Sequence, residues 1–186
     1  MAKKYGFIIG RFAPLTLGHE KLIKYALENV DVLLIFVGSA DKKGTLRNPF
    51  DVNLRIELIE KVYKEEIENG KIIVKPLLDM TNENDYKNKK WGSYLLSNVS
   101  KYIIKEPYYF IYGEEESREE WFSNKDLEKI NKLVIKRNKE DISGTKVRKY
   151  IVSGDKENFE KNTNKKIHEY YEKLREELLK IDEYIK

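Results

Sequence analysis

Four short apolar runs punctuate the chain: Tyr5–Gly10 (YGFIIG), Asp31–Gly38 (DVLLIFVG), Lys71–Leu77 (KIIVKPL) and Tyr108–Gly113 (YYFIYG). Unbroken runs of this length suit strands covered on both faces, because a sheet with one wet face alternates apolar and polar residues. Between the runs the pattern changes period. Leu22, Ile23, Ala26 and Leu27 share one face of a helix over 18–29, and Leu54, Leu58, Ile59, Val62 and Ile67 do the same over 51–68. A helix over 94–104, a short strand over 132–135 and a final helical region complete the series. Parallel strands require crossovers, and the crossover helices cover both faces of the sheet. The expected fold is α/β, a doubly wound parallel sheet. Ligands in such sheets bind beyond the carboxyl ends of the strands, which directs attention to the loops after Ile9, Val37, Leu78 and Tyr112.

A length of 186 residues fits one domain, and 40% hydrophobic with 12% aromatic side chains is enough to build its core. The absence of cysteine excludes disulfide frameworks, zinc knuckles, iron–sulfur clusters and thiolate nucleophiles. Imidazole chemistry is left to His19 and His168, and His168 lies on the polar side of a terminal amphipathic helix, where it reads as a bystander. No apolar run approaches the roughly 20 residues of a membrane span. Lys3 and Lys4 lead directly into the first strand rather than into a secretory leader, so a cytoplasmic protein without a membrane partner is expected.

The net charge of +4 is small for a chain with 37% charged residues, and from Asp155 to Lys186 eight basic residues face nine acidic ones. No nucleic-acid partner is expected from such a balance. In the same stretch Ile167, Tyr171, Leu174, Leu178, Ile181 and Ile185 recur at spacings of four and three. That seam fits a terminal helix packed on its own domain, with an oligomer contact as the alternative. Thr81–Lys90 (TNENDYKNKK) reads as a polar loop.

The chemistry concentrates in Gly10–His19 (GRFAPLTLGH), which joins the first strand to the first helix. A glycine lets a ligand approach the backbone, and the start of a helix offers unpaired N–H groups and a positive dipole to an anion. Arg11 adds a forked cation, and His19 can donate to phosphate oxygens. Together they point to a polyphosphate cradle. Asp141–Arg148 (DISGTKVR) opens a second helix late in the chain. There Ser143 and Thr145 can cap and donate, Gly144 leaves the backbone open, and Lys146 and Arg148 add charge.

Thr16-Leu17-Gly18-His19 resembles the T/HxGH signature of the nucleotidyltransferase superfamily, and Ile142, Ser143, Thr145 and Arg148 are similar to its ISxTxxR phosphate-binding signature. The GRF run with Pro14, then Gly38-Ser39-Ala40, Asn48-Pro49-Phe50 and Arg55, resembles the archaeal-type nicotinamide mononucleotide adenylyltransferases. The resemblance implies a five-stranded Rossmann-like nucleotidyltransferase sheet, with 156–186 as a C-terminal helical extension. It implies transfer of AMP from ATP to nicotinamide mononucleotide, with Mg²⁺ on the triphosphate and no dedicated metal ligands, in a homo-oligomer.

The same resemblance assigns His19, Arg11, Lys146 and Arg148 to offsetting charge during the reaction. ATP would be bound by Gly10, Arg11, Phe12, Thr16, Gly18, His19, Arg47, Gly113, Ser143, Thr145 and Arg148. The acceptor would be framed by Ser39, Asn48, Arg55, Asp79 and Trp91, with Asn84 or Asn88 supplying an amide contact. Arg55 could instead hold a loop, and Trp91 could instead be a core residue. Glu114, Glu115 and Glu116 read as solvated surface. Threonine at position 16, where many of these enzymes have histidine, keeps open another phosphorylated acceptor such as phosphopantetheine, with adenylyl or cytidylyl transfer. A non-catalytic nucleotide sensor is a further alternative. A P-loop kinase is disfavoured because GxxxxGK[ST] is absent, and a hydride-transferring enzyme because GxGxxG does not follow the first strand.

Overall fold

A computed structural model describes residues 3–80, 89–103, 105–116, 118–136 and 142–185. Its sheet contains β1 (Tyr5–Gly10), β2 (Val32–Val37), β3 (Ile72–Pro76), β4 (Tyr108–Gly113) and β5 (Ile130–Ile135). All pairings are parallel, in the order β3-β2-β1-β4-β5. The chain winds outward from β1 to β3, then returns to β1's other edge for β4 and β5. The order therefore reverses between β1 and β4, and the crevice at their carboxyl ends is where such folds hold ligands.

Side chains alternate along β1 and β2, yet both sets are buried. Ile8, Leu33, Ile35 and Val37 enter one core, while Phe7, Ile9, Leu34 and Phe36 enter the other. This is why the runs lack polar alternation. The first core is closed by α1 (Leu17–Asn29), α2 (Val52–Val62) and its short successor α3 (Lys64–Glu68). The second is closed by α4 (Lys90–Val99), with Trp91, Leu95 and Val99 against Phe110 and Phe122. Each fully buried large apolar side chain contributes roughly 1.5–3 kcal/mol to holding these layers together.

Several boundaries differ from expectation for local reasons. The helix expected over 51–68 ends at Val62 and restarts at Lys64, with Tyr63 between them, although Ile67 continues the apolar pattern. The fourth helix starts at Lys90 rather than at residue 94, which places Trp91 in its first turn. β5 starts two residues early, at Ile130, because the exposed Asn131 of this edge strand interrupts the apolar pattern.

The late chain forms α5 (Asn124–Leu127), α6 (Gly144–Ser153), α7 (Lys156–Asn162), α8 (Tyr171–Leu179) and α9 (Asp182–Ile185). A 3₁₀ turn over Lys165–Tyr170 interrupts the expected seam. Its apolar residues Ile167, Tyr171, Leu174, Leu178 and Ile181 are nevertheless all buried, at most 4% exposed. Ile167, Tyr171, Leu174 and Leu178 join the first core, where the terminal region packs on α2 and α6 of its own domain. Among the described residues no helix is long and apolar enough to cross a membrane.

Candidate active site

Two cavities open at the carboxyl ends of β1 and β4, and Ile9, Gly10, Arg11 and Arg118 line both. The smaller, about 220 Å³, lies between the starts of α1 and α6. Thr16 caps α1: its hydroxyl accepts from the His19 N–H, and its own N–H donates to His19 Nδ1 at 3.1 Å. A backbone N–H can only donate, so Nδ1 is the acceptor and the neutral ring carries its proton on Nε2. His19, Phe12 and Leu22 line this cavity from one side. Ser143, Gly144, Thr145 and Arg148 line it from the other, with Ser143 capping α6. His19 and Arg148 thus meet in one cavity although they belong to opposite ends of the sequence.

Close backbone contacts hold the two helix starts together. A Cβ added to Gly18 would lie 2.7 Å from the Ile142 carbonyl oxygen, and one on Gly144 would lie 3.1 Å from that of Ala13. Thr16 Oγ1 donates to the Ile142 carbonyl at 3.4 Å. Arg148 is 8% exposed. Its Nη1 donates to the Ala13 carbonyl at 2.7 Å, its Nη2 to Thr145 Oγ1 at 3.1 Å and its Nε to the Tyr184 hydroxyl at 2.6 Å. Positive charge is dense here, and the Arg11 guanidinium is pushed below its ordinary value by burial first and then by Arg47 and Arg148. Such a site gains by receiving an anion.

The larger cavity, about 820 Å³, is lined by Gly38, Ser39, Lys42, Arg47, Asn48, Asp79, Met80, Trp91 and Trp121 besides the shared residues. Asp79 accepts from Ser39 Oγ at 3.2 Å and pairs with Lys42 at 2.8 Å. Asn48 is buried and its Oδ1 finds no partner among the described residues, so this oxygen is left to accept from a ligand donor. Trp91 is 3% exposed and stands edge to face with Trp121 at 6.3 Å. It is a core residue that also forms a wall of the cavity.

Phe12 and Ser39 both have φ of +49°, a left-handed conformation that costs side-chain-bearing residues energy and persists only when the surroundings impose it. Arg55 imposes it. Fully buried, it donates to the carbonyls of Arg11 at 3.0 Å, Gly38 at 2.7 Å and Ser39 at 3.0 Å, tying together the loops after β1 and β2.

Not every expected residue lines the site. Arg55 lies beneath the larger cavity with its fork occupied by carbonyls, so it is a loop clamp and not an acceptor contact. Lys146 is exposed and lines neither cavity; its backbone N–H, not its side chain, serves the site by closing the Ser143 cap at 3.3 Å. Gly113 is buried at the end of β4, outside both linings, and Thr16 and Gly18 act below the surface through the α1 cap. Asn84 and Asn88 lie outside the described residues.

The loop after β4 supplies residues that the sequence reading passed over. Arg118 lies over the Trp121 ring at 4.9 Å, donates to the Ile9 carbonyl at 2.7 Å and pairs with Glu116 at 2.7 Å. The acidic run before it masked the signal, which was an arginine three residues ahead of a tryptophan. Lys42 and Trp121 were missed in the same way, as isolated polar or aromatic positions without periodicity.

Among the described residues no group of three or more histidines and carboxylates is placed to hold a metal ion. The donors here are guanidinium and imidazole nitrogens, which suit phosphate oxygens rather than a hard cation.

Fold and site together define a nucleotide-binding α/β protein of the cytidylyltransferase-like family: the model of that family matches residues 7–150, and the chain belongs to it. The similarity to nicotinamide-nucleotide adenylyltransferases extends over most of the chain. It is 28% identical over 149 residues to the enzyme of Archaeoglobus fulgidus, covering 80% of each. It is 30% identical over 154 residues to that of Methanococcus vannielii, covering 81% of this chain and 78% of that relative. Among solved structures, a bifunctional NMN adenylyltransferase/ADP ribose pyrophosphatase from Francisella tularensis, complexed with AMP and a Mn ion, shares the fold with a TM-score of 0.73 at 19% identity. That match covers 99% of this chain and 54% of that one, so the present chain spans about half of the bifunctional protein. A nicotinic acid mononucleotide adenylyltransferase from Plasmodium falciparum complexed with NaAD also shares the fold, with a TM-score of 0.57 at 18% identity, covering 92% of this chain and 98% of that one.

Proposed function

We propose that this protein transfers AMP from ATP to nicotinamide mononucleotide, forming NAD and pyrophosphate. The observation that carries the reading is that the two cavities share Arg11 and Arg118 in their linings. One side offers helix starts, His19 and Arg148 to a triphosphate, and the other offers aromatic and polar walls to a heterocycle on a phosphorylated sugar. A substrate in each brings their phosphates together at the shared arginines.

An oxygen of the acceptor's 5′-phosphate attacks the α-phosphorus in line, and the bond from that phosphorus to the oxygen bridging toward the β-phosphate breaks. The attacking phosphate is already ionised near neutral pH, so no general base is needed. Alignment and charge offset carry the rate. Arg11 and Arg118 serve both phosphates, and Arg148 with the Nε2 proton of His19 offsets the charge that develops on departing pyrophosphate. Mg²⁺ enters with ATP as part of the substrate. Asp79, Ser39 and Asn48 orient the acceptor, and Trp91 and Trp121 cover its ring.

Pyrophosphate release from ATP is measured against nicotinamide mononucleotide, nicotinate mononucleotide and phosphopantetheine. Turnover is expected with the pyridine mononucleotides, the amidated one foremost. Turnover with phosphopantetheine alone would replace the acceptor assignment, and ATP binding without turnover on any acceptor would replace the enzymatic one.

A further inference from the structure

We infer that Tyr184, in the last helix of the chain, is a positioning residue for Arg148, fixing its guanidinium for a bound triphosphate. The inference rests on the ATP-binding reading above. It concerns a segment beyond residues 7–150, the stretch matched by the family model.

Arg148 has five N–H donors. One at each of its nitrogens is used within the protein: Nη1 by Ala13, Nη2 by Thr145 and Nε by Tyr184. That leaves one N–H on each terminal nitrogen for a ligand in the cavity that Arg148 lines. The Nε bond, at 2.6 Å, is the shortest of the three and stops the fork from swinging about its long aliphatic stem. Its direction is settled by chemistry, since guanidinium cannot accept. The single proton of the Tyr184 hydroxyl is then free to be donated, and it goes to the Leu46 carbonyl at 3.0 Å. One hydroxyl thereby joins Arg148 of the smaller cavity to the loop that carries Arg47 and Asn48 into the larger.

Tyr184 packs against the first core through its ring. Replacing it with phenylalanine keeps that packing and removes only the two hydrogen bonds. A bond to a charged group in a partly desolvated site is worth enough that its loss should weaken binding of ATP about tenfold.

The experiment measures ATP binding by titration calorimetry for the full chain, Tyr184→Phe, Arg148→Lys and the double variant, with thermal unfolding of each as a control for folding. Lysine at 148 keeps a cation but has no Nε–H, so Tyr184→Phe should change binding by less than about twofold in that background if it acts through Arg148. Weakened ATP binding from Tyr184→Phe in the wild-type background but not in Arg148→Lys supports the inference. Unchanged ATP binding, or an equal weakening in both backgrounds, overturns it by leaving Tyr184 only as a helix anchor. A wild-type chain that fails to bind ATP removes the ATP-binding reading itself and this inference with it, a result distinguishable because it appears before any substitution is made.

Discussion

Arg148 donates to the Ala13 carbonyl at 2.7 Å, across 135 positions of sequence. This bond and the approach of Gly144 to the same carbonyl bring the start of α6 onto the loop that precedes α1. Gly18 answers from the other direction, with the Ile142 carbonyl against its Cα. Each helix start is thus shaped by the backbone of the other. Two sets of unpaired N–H groups, each weakly attractive to an anion, become one site because of those contacts.

Gly18→Ala tests the clamp. The added methyl would lie 2.7 Å from a backbone oxygen that cannot rotate away, so the helix starts must separate. We expect a loss of about 1–3 kcal/mol in urea unfolding, as for other overpacked sites, together with weaker ATP binding. Gly144→Ala, whose methyl would meet Ala13 at 3.1 Å, should show both effects in smaller measure. Wild-type stability and ATP affinity in Gly18→Ala would mean that the two signatures are not sterically interdependent.

His19→Ala is expected to lower turnover by about 10²-fold or more, the effect of removing one transition-state donor. The Thr16 hydroxyl and the rest of the α1 cap remain, so circular dichroism should match the wild type. His19→Gln, which keeps an acceptor toward the Thr16 N–H and a donor on the amide, should recover part of the rate. Initial rates of pyrophosphate release at saturating ATP decide it, and near-native turnover in His19→Ala would take the imidazole out of the mechanism.

The sheet was legible because each of its inner strands is buried on both faces, so apolar side chain fills every position from Phe7 to Ile9 and from Val32 to Val37. Its edge was less so, since β5 carries Asn131 and Lys132. The segments at the starts of α1 and α6 were readable as local patterns of cap, glycine and cation. What no local pattern contains is a contact across distant sequence. For Arg55 the sequence left an acceptor contact and a loop holder both open until its three carbonyl partners are seen, and Arg118 is camouflaged by the glutamates before it. Tyr184 looks like one more residue of an amphipathic tail.

Arg55→Met removes the clamp beneath the loops after β1 and β2. Methionine fills much of the volume but leaves the carbonyls of Arg11, Gly38 and Ser39 without their donor. A cost of about 3 kcal/mol is expected in urea unfolding. Because Arg55 binds the carbonyls of Arg11, Gly38 and Ser39, beside or within the left-handed Phe12 and Ser39 turns, both loops should relax and the KM for each substrate should rise. Unaltered stability would show that the loops hold their shape without Arg55.

Glu20 gives a prediction about pH. Its carboxyl is half-buried at the start of α1, where Oε2 accepts from Asn164 at 2.9 Å and Oε1 finds no partner among the described residues. Burial raises its pKa above the ordinary 4.5, and this outweighs the opposing influence of the Asn164 hydrogen bond and of Lys166. A carboxyl raised in the folded state favours folding when protonated. That stabilisation is complete below the unfolded value and is lost as pH rises through the folded one. At neutral pH the wild type therefore carries an ionised carboxylate in a site that prefers it neutral. Glu20→Gln removes the charge and keeps the acceptor for Asn164. Its melting temperature should exceed that of the wild type at about pH 7.5, and the advantage should shrink as the pH falls through the raised pKa of Glu20 and be largely gone by about pH 4. A variant less stable than the wild type at the higher pH, or an advantage that grows on acidification, would show that the folded chain prefers this carboxylate ionised.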